Sequence, residues 1–252
     1  MINAVTTKLE IDVMQINELD QAIQLAAVHS LPAVVVHPQL VTQAIGTRIR
    51  RNGRFKLIST VDWPKGDTYG MNKLRGLTKE MMELDGFEIL LTGGKSEIEN
   101  RNEIRVITEF IRNNIGPRLE IRFVLGTHTK TDAECMHMAR VMKDIQAPAL
   151  IRTDNHLRMQ VTKANAKTHS ALVESIRTVC GLPLKISGNI DSVRTIAGCL
   201  TVPNPPARFA VSLQQMQQII KELQQQPNEL RELLAANNTD ALSGAKAMVV
   251  AK

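Results

Sequence analysis

The feature that most constrains the fold is a regular alternation of short apolar or β-branched runs with segments of helical periodicity. Eight runs have the length and composition of buried strands: 8–14, 33–37, 56–62, 87–91, 120–126, 149–153, 183–187 and 207–212. Apolar residues three and four positions apart predict helices between them, over 18–29, 71–84, 97–114, 132–145, 168–180 and 191–200. This alternation is typical of right-handed βαβ units around a parallel sheet.

Eight such units close into a single (β/α)8 TIM barrel, which needs about 250 residues. The chain has 252. An open doubly wound sheet is the alternative, but its usual glycine-rich phosphate turn is missing after Met14. The sequence therefore predicts an α/β barrel domain over 1–226, which includes an extra glutamine-rich helix from 213 to 226. Residues 227–252 are predicted to add a short helix and a tail that is either flexible or binds a partner.

Composition narrows the functional classes. Hydrophobic residues make up 43% and charged residues 22%, as in a globular protein with a full core. No apolar run reaches 18 residues and the N-terminus lacks a secretory signal pattern, so neither a membrane span nor export is expected. The three cysteines, Cys135, Cys180 and Cys199, have no metal or CxxC spacing. They indicate a reducing, cytoplasmic compartment.

The charge pattern bears on partners. The net charge is +6, with acidic and basic residues interspersed, which is the pattern of an ordinary solvated surface. A basic cluster within residues 48–56 could instead contact an anionic partner. Aromatic residues make up only 3%, which argues against a surface that stacks nucleic-acid bases. Nucleic-acid binding is therefore not the favoured hypothesis.

Two cations interrupt otherwise apolar strands, namely Arg152 in the sixth run and Lys185 in the seventh. A buried cation is costly unless it is paired. One interpretation makes both of them ligand-facing, with Lys185 also a candidate catalytic Schiff-base amine. The other is an ion pair inside the barrel with an acid on a nearby strand, for which the candidates are Asp62, Asp154, Glu88 and Glu120.

Histidines and metal ligands give a weaker signal. His37 and His128 fall at predicted strand ends, where a lone histidine is more often a structural hydrogen-bonding group than a catalyst. No cluster of histidine, cysteine and carboxylate residues has the spacing of a metal site. The sequence predicts neither a metal nor any other cofactor.

Several segments, in their order along the chain, carry a resemblance to a known family. The chain resembles the deoxyribose-phosphate aldolases, which are class I Schiff-base enzymes on an eight-stranded barrel. The segments that resemble strands of that family are 32–41, 58–66, 119–126, 149–153, 184–188 and 208–212. The resemblance covers roughly residues 9–223 and implies the same barrel and a common ancestry.

The resemblance breaks at the reacting groups. It implies a Schiff-base lysine on the sixth strand, where this chain has Arg152, and a guanidinium cannot serve as the amine nucleophile. The family's proton-shuttling aspartate falls on Leu90 and its strand-five glutamate on Val124. Neither side chain can move a proton. The second active-site lysine is retained as Lys185, which in the family perturbs the ionisation of its neighbour.

The phosphate-binding features that the resemblance implies are kept in part. The family's Gly-Gly after strand seven is Gly188-Asn189 here, and the end of strand eight is Ser212. Ser212 and the backbone N–H groups before Asp191 and Leu213 could hold an anion at helix N-termini. Gly188, Asn189, Ser212, Arg152 and Asp62 are therefore the candidate ligand-binding residues.

These losses favour a catalytically inactive aldolase-like barrel, a pseudoenzyme kept as a structural or ligand-binding module. Folds persist readily when chemistry is lost. The partners expected are copies of the chain or a larger protein assembly, for example a complex or a virus particle, and a sugar phosphate is the candidate ligand. The alternative is a lyase that cleaves a deoxysugar phosphate or a related aldol through an imine on Lys185.

Overall fold

The structure is a computed structural model in which these residues are described: 5–62, 72, 83–91, 96–125, 131–144, 150–154, 172, 175–176, 178–179, 181, 183–187, 190–200 and 206–225. Most of the predicted helices 71–84 and 168–180 lies outside this part of the chain. So do His128, Gly188 and Asn189, and the tail 227–252.

Eight parallel strands pair with their neighbours in sequence order, and β8 pairs with β1, which closes the ring. Each strand lies within one residue of its predicted bounds. The strands are β1 (Leu9–Val13), β2 (Ala33–Val36), β3 (Lys56–Val61), β4 (Gly86–Leu90), β5 (Glu120–Leu125), β6 (Leu150–Asp154), β7 (Leu184–Ser187) and β8 (Arg208–Ser212). The predicted parallel α/β architecture is confirmed.

Six of the strands are followed by a described helix. These helices are α1 (Ile16–Val28), α2 (Val41–Arg50), α3 (Glu97–Phe110), α4 (Asp132–Asp144), α5 (Val193–Leu200) and α6 (Leu213–Gln225). Helix α2 is an addition to the predicted segments. The predicted helix 97–114 instead ends at Phe110 and continues as a wider helical turn, Ile111–Ile115. None of the helices in the described ranges has the length and apolarity needed to cross a bilayer.

The two faces of each strand differ in character. In β1, Leu9, Ile11 and Val13 belong to the large apolar core, while Glu10 and Asp12 alternate with them. Successive side chains of a strand point to opposite faces, so both acids point into the ring. Inside the ring the described apolar cluster is small and consists of Ala33, Val35 and Ile58. Much of the remaining interior is filled by charged side chains.

Reciprocal caps fix the starts of helices α3 and α4. Before α3, Ser96 Oγ accepts the Glu99 N–H at 3.3 Å, and the Glu99 carboxylate accepts the Ser96 N–H at 3.0 Å. Thr131 and Glu134 make the same pair of bonds before α4. Each cap satisfies N–H groups that a helix start otherwise leaves without partners.

Candidate functional site

The candidate site is a cluster of five buried charged residues inside the ring, here called the interior ion network. It comprises Glu10 and Asp12 of β1, Glu88 of β4, Arg122 of β5 and Lys185 of β7. Lys185 and Glu10 are 0% exposed, and Asp12, the most exposed member, is 7% exposed. Charged side chains are almost never buried to this degree unless they are paired.

Lys185 lies at the centre of this network. Its Nζ is 2.7 Å from Glu10 Oε2 and 2.6 Å from Glu88 Oε1, with Asp12 Oδ1 at 3.7 Å. The two close carboxylates come from β1 and β4, which are three strands apart in the ring. The ammonium therefore ties β7 to β1 and β4 across the barrel interior.

Arg122 forms the second cationic centre. Its Nη1 is 2.6 Å from Glu10 Oε2 and 3.0 Å from Glu88 Oε1, and its Nε donates to Glu120 Oε1 at 2.7 Å. Glu120 also pairs with Lys56 Nζ at 2.5 Å. A continuous chain of charged hydrogen bonds therefore runs from Lys56, at the N-terminal end of the ring, to Lys185 in its centre.

Within this chain of hydrogen bonds, neighbouring opposite charges shift the pKa values of Glu10, Glu120 and Arg122 in favour of the charged forms. Burial alone would raise the pKa of Glu10, but the charges of Lys185 and Arg122 outweigh it and hold that pKa below its ordinary value. Burial would likewise raise the pKa of Glu120, whereas Arg122 and the hydrogen bond from Lys56 lower it overall. The pKa of Arg122 is raised, because Glu10, Glu88 and Glu120 outweigh the effect of its burial.

Of the two alternatives for Lys185, the described geometry is the interior ion pair. Glu88 is one of the four acids that the sequence indicated as a partner. The other contacting acids, Glu10 and Asp12, were not predicted, and neither was the role of Arg122. A signal for them exists in the sequence, since Glu10 and Asp12 stand two positions apart in an otherwise apolar strand.

The positions at which the resemblance places reacting groups share one row of the sheet. In register, Leu90 pairs with Val124, Val124 with Arg152, and Arg152 with Lys185. Leu90 is 2% and Val124 1% exposed, and both share a strand face with a member of the interior ion network. Apolar side chains thus stand beside the network on β4 and β5.

Ser212 has a structural role. Its Oγ accepts the Gln215 N–H at 3.2 Å, while Gln215 Oε1 accepts the Ser212 N–H at 2.8 Å. This reciprocal cap closes the N-terminus of α6. An anion at this helix start would have to displace groups that already satisfy one another.

The start of α5 also has an anion supplied by the chain. The Val193 N–H donates to Glu222 Oε2 of α6 at 2.9 Å, and Ser192 Oγ accepts the Thr195 N–H at 3.2 Å. A carboxylate at a helix N-terminus is stabilised by the exposed N–H groups and the helix dipole, as a bound phosphate would be. Glu222 therefore takes up an N–H group at the start of α5 that an anionic ligand would otherwise bind.

Two further candidates lie at the C-terminal ends of strands. Asp62 follows β3 with a φ of 60°, a left-handed conformation that aspartate tolerates better than most residues. His37 follows β2, and its Nδ1 accepts the Gln39 N–H at 3.4 Å, which caps a short helical turn. The structural role that the sequence favours for His37 fits this contact.

The chemistry open to the interior ion network is limited by its own pairing. An amine that attacks a carbonyl needs a free nitrogen, and Lys185 Nζ would first have to leave the two carboxylates that it contacts. No group of three histidine, cysteine or carboxylate side chains with the arrangement of a metal site occurs among the described residues. The network is therefore built to hold charge in place.

The fold is shared with aldolases. A protein from Coccidioides immitis assigned as a deoxyribose-phosphate aldolase superposes with a TM-score of 0.70 at 13% identity, over 89% of this chain and 87% of that one. Deoxyribose phosphate aldolase from Aeropyrum pernix gives 0.68 at 12% identity, over 89% and 93%. The aldolase QR15 gives 0.66 at 16% identity, over 88% and 96%.

Sequence comparisons add no family. No family model and no curated protein matches the chain significantly. At 12–16% identity the structural likeness shows the fold alone. The predicted aldolase-like α/β fold is confirmed at that level, and function has to be argued from the site.

Proposed function

We propose that the chain is a complete (β/α)8 aldolase-like barrel that forms no imine and serves as a structural component of a protein assembly. The observation that carries the proposal is the position of Lys185, which is 0% exposed and within 2.7 Å of both Glu10 and Glu88. A nucleophilic lysine needs a neutral amine and an open path to its substrate. The Nζ of this lysine is instead enclosed by two buried carboxylates that it contacts directly.

The surroundings of the network support the same proposal. Leu90 and Val124 are buried apolar residues, and neither can exchange a proton with a bound substrate. General acid–base assistance is worth about 10²–10⁴ in rate, so its loss alone would leave an aldolase slow. Ser212 and Glu222 cap the helices whose N-termini would hold a substrate phosphate, which favours a structural role over sugar-phosphate binding.

Imine trapping tests this proposal. The native protein is incubated with acetaldehyde and sodium borohydride, and its intact mass is measured. Digestion then assigns every modified lysine. We expect no adduct on Lys185. An adduct on Lys185 that is absent from Lys185→Met would overturn the proposal, provided that circular dichroism shows the variant to be folded.

The assembly role needs its own measurement. Light scattering of the full chain over a range of concentrations should give a mass above that of one chain, with partners being further copies or another component of a complex or virus particle. A chain that remains monomeric and binds no partner in its native source would contradict this role. The same experiment on a chain lacking 237–252 tests whether the tail makes the contacts.

A class I aldolase is the second candidate, because the aldolases above share the fold and Lys185 is present on the seventh strand. In that case a substrate would have to separate Lys185 from Glu10 and Glu88 before an imine formed. Steady cleavage of a deoxysugar phosphate that is lost in Lys185→Met would favour this candidate. The trapping experiment separates the two proposals in the same sample.

A further inference from the structure

An open cleft lies at the N-terminal end of the strand ring, the end away from the usual site of catalysis in such barrels. Its volume is about 470 Å³, within the range of ligand-sized depressions. The cleft is lined by the starts of β3 and β5, the chain just before β4 and the segment leading into β5. Lys185 and the two carboxylates that it contacts, Glu10 and Glu88, are not among the residues that line this cleft.

The acids and the cations of the cleft differ in how fully they are paired within the protein. The two acids among the described lining residues bind groups of the protein: Asp85 accepts from Arg48 and from the Leu57 N–H, and Glu120 accepts from Lys56 and Arg122. Arg118 is exposed and makes no ion pair with any other described residue. Lys56 pairs with Glu120, yet its side chain is 56% exposed.

Apolar side chains lie between these charges. Leu84 is 4% exposed, and Ile115 and Leu119 are partly buried against the main core. The lining therefore combines a small apolar surface with two accessible cations, Lys56 and Arg118. A ligand that matches it carries carboxylates next to an aliphatic group.

We propose that this cleft docks an acidic segment of a partner protein, in which glutamate or aspartate alternates with an aliphatic residue. Charge complementarity selects this partner, since the cleft's own acids are neutralised from within. Nucleic acid fits less well, because none of the described residues that line the cleft is an aromatic that could stack on a base. Two of the nearby arginines are also already paired, Arg48 with Asp85 and Arg51 with Asp20.

The test measures fluorescence anisotropy of a labelled hexapeptide of alternating glutamate and leucine on the full chain. We expect saturable binding that weakens about tenfold in Arg118→Glu, since a charge reversal removes the attraction that selects the peptide. The matched control is Arg105→Glu, which changes an exposed arginine of α3 outside the cleft. It should alter the Kd by less than about twofold. Circular dichroism checks that both variants are folded.

Several results would overturn the proposal. They are an absence of binding at millimolar peptide, equal losses in the two variants, and equal affinity for a hexapeptide of alternating glutamine and leucine. An oligonucleotide that binds in an Arg118-dependent manner while the acidic peptide does not would replace the proposed partner. None of these outcomes depends on whether Lys185 forms an imine.

Discussion

At the scale of single residues, Lys185 matters because its charge is balanced by groups that have no access to water. Glu10 and Glu88 are both 0% exposed at their side chains, and each lies within 2.7 Å of Nζ. Removing one partner of a buried ion pair leaves an uncompensated charge in a medium that solvates it poorly. The ammonium therefore contributes to folding through the carboxylates that it satisfies.

Lys185→Met tests this contribution to stability. The variant keeps the length of the side chain but removes the charge, and we expect the free energy of unfolding to fall by about 3–5 kcal/mol. Urea denaturation measures the change, with Lys221→Met on the exposed face of α6 as the control. A change as small as that of the control would show that Lys185 carries no such role.

The sequence alone could predict some of these residues and not others. Lys185 could be singled out because a cation in the apolar strand β7 is conspicuous. Its partners could not be identified from the sequence, because Glu88 lies 97 residues before Lys185 and Glu10 lies still further away along the chain. Only the closed register of the ring brings them together, and local pattern carries no information about that register.

At the scale of elements, close strand contacts and capped helices set the geometry of the ring. Gly86 begins β4, and a Cβ built on it would lie 2.2 Å from the backbone oxygen of Glu120 on β5. Real atoms do not approach so closely, so the β4–β5 pairing depends on a glycine at this position. This pairing also positions Glu88 opposite Arg122.

Gly86→Ala should therefore destabilise the protein by at least about 1–3 kcal/mol, the usual range for overpacking. Gly198→Ala is the matched control in α5, where nothing lies within 4 Å of the added atom. That substitution should stabilise by about 0.5–1 kcal/mol, because alanine favours the helix. Thermal or urea unfolding of the two variants measures both signs, and equal effects would contradict the close contact at Gly86.

Ser212→Ala distinguishes a cap from a ligand-binding residue. Loss of the bond from the Gln215 N–H should lower the free energy of unfolding by about 1 kcal/mol. Ser96→Ala, which removes the corresponding cap of α3, should lower it by a similar amount. If calorimetry shows that Ser212→Ala abolishes binding of a sugar phosphate and leaves stability unchanged, the cap interpretation is wrong.

Strand positions were predictable because short β-branched runs bounded by polar segments are typical of few structures other than buried strands. All eight predicted runs form strands. Helix α2 was not among the predicted segments. Its sequence from Val41 to Arg50 contains Gly46 and two threonines, which are poor helix formers. Such composition weakens the helical signal, and burial of Val41, Ala44 and Ile45 against the barrel restores it.

At the scale of the whole molecule, the chain of charges from Lys56 to Lys185 makes stability depend on pH. The folded-state pKa values of Glu10 and Glu120 are lowered, whereas in the unfolded chain both return to about the ordinary value of 4.5. Between the two values the unfolded state binds more protons. Stability from these groups is therefore complete above 4.5 and is lost as the pH falls through the folded values.

The melting temperature should stay nearly level from pH 7 down to about 5 and then fall steeply below about 4. In Glu120→Gln part of this acid sensitivity should disappear, because one of the two groups no longer titrates. Differential scanning calorimetry across this range provides the comparison. A melting temperature that increases as the pH falls would contradict the ion network as described.

The proposed structural role of Lys185 depends most directly on its isolation from solvent, which reductive methylation of the native protein measures lysine by lysine. Mass spectrometry after digestion should find Lys56 and Lys221 dimethylated and Lys185 unmodified, with Lys185 reacting only after denaturation. If Lys185 of the native protein is methylated as fast as Lys56, its amine lies in an accessible pocket and the proposed role is contradicted.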